Sequence, residues 1–224
     1  MLQIPFEIVG FDLDGTLLDT HGDLGEALNH ALRKGGREPV AMDEVRDLIG
    51  GGGRRMLERA LERDGGPSDE ATINALHRDL LAHYEENIAV HSRLFPGGAE
   101  ALDALAAEGI KLAVVTNKLE RLALRLLDEL DLSHRFATVL GGDSLGPGKA
   151  KPAPDLLHEM EARCGGGRAA FVGDTTYDTR AARAAGLPSI ALDFGYNDMA
   201  PADLGADAVI SHYDELAAAL SALV

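Results

Sequence analysis

The sequence predicts an α/β fold, in which a parallel sheet carries helices on both faces and an all-helical cap is inserted after the first strand. Three observations predict it. An uncharged, partly β-branched run from Ile8 to Phe11 delivers two carboxylates, Asp12 and Asp14, into a turn at Gly15. The stretch from Leu17 to Ser92 then has helical spacing and no convincing strand. From Phe95 onward, short apolar runs alternate with helical periods as far as the C-terminus. Such alternation implies parallel strands joined through helices. The opening run must join that sheet, because alone it could bury nothing.

Each element follows from its pattern. Ile8, Val9, Gly10 and Phe11 read as a buried strand, and Gly15 permits a tight turn after it. Leu24, Leu28 and Leu32 share one helix face. Val45, Leu48 and Ile49 begin a second apolar face that stops at the glycines 50–53. Met56, Leu57, Ala60 and Leu61 continue at helical spacing, and Ile73, Leu76, Leu80, Leu81 and Tyr84 mark another helix. Beyond Phe95, helices over 98–108, 119–130, 153–163 and 178–185 lead into strands over 111–116, 137–141, 169–173 and 189–193. A last strand over 207–210 precedes a helix starting at Tyr213. This assigns 1–16 and 93–224 to the core and 17–92 to the cap.

Bulk properties exclude several classes. A chain of 224 residues with 46% hydrophobic residues can bury one good core plus a small accessory domain. A formal charge of −16 repels nucleic acid and anionic membranes, so neither is an expected partner. An anionic substrate would need local positive charge assembled against that field. The single cysteine, Cys164, allows no internal disulfide and suits a reducing, cytoplasmic setting. Glu7 and Asp12 interrupt the first apolar stretch, which has no basic region before it and does not read as a signal peptide. No apolar run reaches membrane-spanning length. The helix faces rich in alanine permit a monomer or a homodimer.

The chemistry gathers at strand ends, where ligands of open α/β sheets bind. Asp12 and Asp14 repel each other there and are costly to bury, which a divalent metal or a shared proton would relieve. Thr116, Asn117 and Lys118 close the strand over 111–116; an anion could sit on the helix start there, although Thr and Asn also serve simply as caps. The loop GPGKAKPAP carries Lys149 and Lys151, residues that are most often solvated, but Pro152 restricts the Lys151 backbone. The strand over 169–173 ends in Gly173-Asp174, with Asp178 four residues on. Magnesium favours oxygen donors, and Asp12 and Asp174 could supply carboxylates, with the Asp14 carbonyl as a third ligand.

In their order, DLDGTLLDT (12–20), VVTNK (114–118), KP (151–152) and GDTTYD (173–178) resemble the motifs of the haloacid dehalogenase superfamily. LFPGG (94–98), GGDSL (141–145), AARAAG (181–186) and FGYND (194–198) resemble its phosphoglycolate phosphatase branch. The resemblance implies a Rossmann-like core and a Mg²⁺-dependent phosphatase acting on a small organic phosphate, most simply 2-phosphoglycolate. It implies that Asp12 is the nucleophile and forms an aspartyl-phosphate. Asp14 would protonate the leaving oxygen and then activate water. Thr116 and Asn117 would hold phosphoryl oxygens, Lys151 would offset charge, and Asp12, Asp14 and Asp174 would hold the metal, with Asp178 behind them. GDTTYD departs from the usual branch pattern at Thr176 and Tyr177, and His21 has no family role; it reads as a partly buried structural histidine.

Substrate choice is expected in the cap. The glycines 50–53, Gly52 among them, allow close backbone approach, and Arg54 or Arg55 could pair with a carboxylate; a plain helix connection with solvated arginines is the alternative. A pyrophosphatase, a sugar-phosphate phosphatase and a phosphomutase share much of this pattern. Carbon–halogen hydrolysis needs no acid at Asp14. A receiver-like phosphoacceptor would lack both the DxDGT opening and the helical insertion.

Overall fold

The computed structural model describes residues 3–66 and 69–223. In chain order its strands are β1 (Ile8–Phe11), β2 (Leu18–Asp19), β3 (Arg93–Leu94), β4 (Lys111–Val115), β5 (Thr138–Leu140), β6 (Ala169–Gly173), β7 (Ser189–Leu192) and β8 (Ala208–Ile210). The helices are α1 (His21–Lys34), α2 (Gly53–Arg63), α3 (Glu70–Glu86), α4 (Gly98–Ala107), α5 (Glu120–Glu129), α6 (Asp155–Arg163), α7 (Thr176–Ala185) and α8 (Leu216–Ala222).

Six strands form one parallel sheet in the order β5-β4-β1-β6-β7-β8. β1 lies between β4 and β6, with Ile8 opposite both Lys111 and Ala169. The chain steps outward from β1 through β4 to β5, then returns to β6 and steps outward on the other side. The strand order therefore reverses between β1 and β6, and a crevice opens at their C-terminal ends. Asp12 and Asp174 are the residues that follow those two ends.

The uncharged character of β1 is explained by its central place, where successive side chains face opposite layers. Val9 and Phe11 pack in a core that includes Leu102 and Leu105 of α4 and Leu122 and Leu126 of α5. Ile8 faces the other way, with Leu156, Leu157 and Met160 of α6 and Ala181 and Ala182 of α7. Full burial of a large apolar side chain contributes roughly 1.5–3 kcal/mol, so both layers anchor the strand that carries Asp12.

Helices α1, α2 and α3 all lie between β1 and β4. Leu24, Leu28 and Leu32 of α1, Met56, Leu57, Ala60 and Leu61 of α2, and Ile73, Leu76, Leu80 and Tyr84 of α3 are buried as their spacing predicts. One element was not readable. Leu18 and Asp19 pair antiparallel with Leu94 and Arg93, forming a ribbon where the helical segment leaves and rejoins the sheet. Two residues per strand are too few to display a period. The segment 45–48 makes a 3₁₀ turn, and the last helix is preceded by another at Tyr213–Glu215. Among the described residues, no helix is long and apolar enough to cross a membrane.

Candidate active site

The backbone N–H of Asp12 donates to Val172 O of β6 at 2.9 Å, which holds the residue in the β1–β6 crevice. Asp12 Oδ1 accepts from Leu13 N at 2.7 Å and pairs with Lys151 Nζ at 2.9 Å. The Lys151 ammonium, fully withdrawn from solvent, also donates to Asp178 Oδ1 at 2.6 Å. Asp178 Oδ2 accepts from Thr175 N at 2.9 Å and from Thr175 Oγ1 at 2.7 Å. Thr175 and Asp178 thus form a reciprocal capping box at the start of α7, and GDTTYD folds as a strand end running straight into a capped helix. Asp174 Oδ1 accepts from Thr16 Oγ1 at 2.8 Å, and Oδ2 accepts from Tyr196 N at 2.6 Å.

Two glycines make this convergence possible. Gly15 has φ of +83°, and a Cβ there would stand 2.3 Å from Asp174 Oδ2. A Cβ on Gly173 would stand 2.3 Å from Asp178 Cβ.

Two carboxylates pair with one ammonium on this floor, a third, that of Asp174, lies beside them, and burial decides their electrostatics. Burial pushes Asp12 upward, Lys151 pulls it back and Asp178 pushes again, leaving it raised from 3.8 to about 6. Burial together with the charges of Asp178 and Asp12 pushes Asp174 well above the usual carboxylate range. For Lys151, burial opposes the charged form, but Asp12 and Asp178 outweigh it and hold the ammonium.

This donor set fits a hard divalent cation. Ligand oxygens of Asp12, Asp174 and Asp178 all lie within 4.8 Å of one another, and their charge exceeds that of Lys151. Asp178 Oδ1 holds the Lys151 ammonium and its Oδ2 the capping box, whereas each Asp174 oxygen accepts one neutral donor, so Asp174 is the better partner for Asp12 in a metal site. The Asp14 carboxylate does not join this cluster.

Asp14 is held instead by a residue that sequence reasoning passed over. Lys118 Nζ donates to Asp14 Oδ1 at 2.8 Å and to Oδ2 at 2.7 Å, and Thr20 Oγ1 donates to Oδ1 at 2.8 Å. Lys118 is buried, and its ammonium stands 4.8 Å from the ring centre of Tyr84 on α3. Burial disfavours the Lys118 charge, yet Asp14 and Tyr84 reverse this and raise its pKa above the ordinary lysine range. Burial pushes the Tyr84 hydroxyl up to about 12, although Lys118 acts against it. The sequence signal was faint, since a lysine after a strand is ordinarily solvated and Tyr84 occupies a core position.

Thr116 is buried just beyond β4, and its Oγ1 accepts from Lys118 N at 3.2 Å, leaving the hydroxyl proton for another acceptor. Thr116 is not the cap of α5; that helix start is met by Asp143 of GGDSL, whose Oδ1 accepts from Glu120 N at 2.8 Å. Asn117 Nδ2 donates to Lys151 O at 2.9 Å, so its side chain braces the lysine loop.

A cavity of about 290 Å³ is lined by Asp12, Asp14, Thr116, Lys118 and Lys151 and by residues of the inserted segment. Gly52 and Arg54, the residues the sequence put forward for substrate binding, both line it. The Arg54 guanidinium is already engaged, however. It donates to Glu58 at 2.9 Å, Asn74 at 2.7 Å and both oxygens of Glu70 at 2.9 Å. Arg55 is turned toward Glu58 and Glu62 on the exposed side of α2.

The unusual residues also find places. Thr176 N donates to Asp198 Oδ1 at 2.8 Å, tying α7 to the FGYND loop. The Tyr177 hydroxyl rests against Gly51, where a Cβ would come within 2.9 Å. His21 is half-buried and pairs with Asp19 at 2.6 Å. Tyr196 Oη donates to Asp19 Oδ1 at 2.6 Å and accepts from Thr20 N at 2.7 Å, linking the FGYND loop to the ribbon.

Carboxylates around a buried lysine at the switch point of a parallel sheet equip an enzyme to transfer an anionic group through a carboxylate. The chain belongs to the haloacid dehalogenase-like hydrolase family, whose sequence profile matches residues 9–192. It is 41% identical to the phosphoglycolate phosphatase of Agrobacterium fabrum over 214 residues, covering 94% of this chain and 90% of that one. It is also 41% identical to the phosphoglycolate phosphatase of Mesorhizobium japonicum, covering 96% and 94%. Among solved structures, a predicted phosphoglycolate phosphatase from Haemophilus somnus superposes with a TM-score of 0.85 at 32% identity, covering 94% of this chain and 96% of that one.

Proposed function

We propose that this phosphoric monoester hydrolase releases phosphate from 2-phosphoglycolate, with Asp12 as nucleophile and Mg²⁺ as the metal. The observation that carries this reading is the contact of Lys151 with both Asp12 and Asp178 beside Asp174 at the β1–β6 crevice. Magnesium held by Asp12 and Asp174 would offset phosphoryl charge. Asp12 attacks phosphorus while the bond to the leaving oxygen breaks, and Asp14 gives that oxygen its proton. Asp14 then takes a proton from the water that attacks the phosphorus of the aspartyl-phosphate, releasing phosphate and restoring Asp12. Lys151 stabilises the negative charge passing between Asp12 and the phosphoryl group. Thr116 offers its hydroxyl proton to a phosphoryl oxygen.

Helices α1 to α3 act as a cap that closes over the strand ends, excludes water and selects the substrate. The enzyme works in the cytoplasm, which suits its lone unpaired Cys164. It is tested by ranking phosphate release from 2-phosphoglycolate, pyrophosphate and hexose phosphates. A clear preference for 2-phosphoglycolate is expected, and preference for another ester would overturn the substrate assignment.

Asp14→Asn is expected to slow hydrolysis of an alkyl phosphate by roughly 10²–10⁴-fold, the usual contribution of a positioned acid–base group. In kcat/KM, which reports the phosphorylation step, it should slow p-nitrophenyl phosphate much less, because that leaving oxygen departs without a proton; kcat should fall for both esters, which share the water step. Equal slowing of both esters in kcat/KM would contradict the acid role.

The raised pKa of Asp12, about 6 against an ordinary 3.8, sets a pH dependence for metal binding. For an acid whose folded pKa is raised, stability relative to the unfolded chain is present below the unfolded value and lost as pH rises through the folded one. The metal-free protein therefore loses stability from these carboxylates between about pH 4 and pH 6 and beyond, while Mg²⁺ competes with the protons. The gain in Tm on adding Mg²⁺ should be larger at pH 7.5 than at pH 5. A gain that shrinks with rising pH would contradict the site.

A further inference from the structure

Three cations line the cavity, and two already have tasks or partners that hold them in place. Lys151 is bound to Asp12 and Asp178. Arg54 is bound to Glu58, Asn74 and Glu70. The third, Lys118, has its side chain 5% exposed and is paired with Asp14 alone among the carboxylates that the structure brings to it. If Asp14 serves the leaving oxygen, it must turn away from Lys118, because that ammonium holds both of its oxygens. A buried ammonium stripped of its anion is strongly unfavourable, so another anion has to take the vacated place.

Tyr84 supplies a second, independent indication. The residue is 2% exposed and lines the same cavity. Its hydroxyl lies near enough to Lys118 to feel its charge, yet makes no well-oriented hydrogen bond among the described residues. An unspent buried donor beside a buried ammonium is a site that lacks an anionic acceptor. The cavity lining also includes the apolar side chains of Leu24, Leu80 and Leu122, which offer an anionic group no hydrogen bond.

We propose that Lys118 and Tyr84 form the subsite for the second anionic group of the substrate, the carboxylate of a short phosphorylated acid, and thereby select that substrate class. The proposal rests on the phosphatase reading and on Asp14 as the acid. Phosphate esters with an uncharged short chain leave both groups unsatisfied when Asp14 turns away.

The test compares 2-phosphoglycolate with ethyl phosphate, which keeps the two-carbon chain and lacks the carboxylate. Values of kcat/KM are measured for both esters with the wild-type protein, Lys118→Met and Tyr84→Phe. The wild type should prefer 2-phosphoglycolate. In Lys118→Met that preference should fall on the order of 10- to 100-fold, the loss for a hydrogen bond to a charged group, with KM for 2-phosphoglycolate rising. Tyr84→Phe, which keeps the packing of the ring, should lower the preference in the same direction by a smaller factor. A Lys118 that only positions Asp14 would slow both esters alike, so an unchanged preference in both variants overturns the subsite while leaving the phosphatase reading standing. Hydrolysis of neither ester by the wild type would overturn that reading and the subsite with it.

Discussion

Asp12→Asn should abolish phosphate release and leave the fold intact. Asparagine has the same shape, so the packing around β1 and the hydrogen bond from Asp12 N to Val172 O are preserved. What disappears is the negative oxygen able to attack phosphorus. The loss should be at least about 10⁴-fold, the scale reached when a covalent nucleophile is removed. The metal-free variant should melt no lower than the wild type. Burial already disfavours the Asp12 carboxylate, which is why its pKa stands at about 6, and a neutral amide removes that penalty. Phosphate release measured beside a thermal melt checks both parts. Appreciable remaining turnover would show that another group attacks the substrate.

Lys151→Met should damage both stability and catalysis. The lysine head lies between Asp12 Oδ1 at 2.9 Å and Asp178 Oδ1 at 2.6 Å, with its side chain 1% exposed. Methionine fills similar space but leaves buried carboxylates without their cation. Breaking a buried pair in this way costs about 3–5 kcal/mol. Turnover should fall by roughly 10²–10³-fold, as when one preorganised donor to a developing charge is removed. A divalent ion at Asp12 and Asp174 would replace part of the missing charge. The drop in Tm should therefore be larger in chelator than in Mg²⁺, and equal drops in the two would contradict a shared carboxylate site. Asp178 gives the loss a second route, because it also caps α7 through Thr175.

The strand-end chemistry was legible because burial leaves a plain signature. β1 and β6 are uncharged throughout, so the carboxylates that follow them stand out, and their positions at the ends of parallel strands imply a common edge. What could not be read was that β1 and β6 are neighbours, with Asp12 and Asp174 in one crevice. Strand order depends on how connections cross the sheet, not on the pattern within any strand. Asp178 illustrates a related gap. The family resemblance implied a supporting role for it, and the structure places one of its oxygens on Lys151 and the other in a capping box.

The inserted helices were legible as helices and much less so as a wall of the cavity. Tyr84 has the spacing of a core residue and is buried like one, but its ring borders Lys118 from the other side of the fold. Arg54 shows the opposite outcome. The glycine run before it suggested a ligand, but Glu58 four residues on along α2, with Glu70 and Asn74 brought in by α3, engages it instead. The β2–β3 ribbon carries no periodic signal at all, though it frames the segment that the sequence assigned to a cap.

The measurement that tests the central claim most directly is phosphate release from 2-phosphoglycolate by the wild-type protein, first with Mg²⁺ and then with excess chelator. Release that depends on Mg²⁺, stops in chelator and returns when Mg²⁺ is restored is the predicted result. Release that continues undiminished in chelator, or no release with Mg²⁺ present, would contradict a metal-dependent phosphatase centred on Asp12, Asp174 and Lys151.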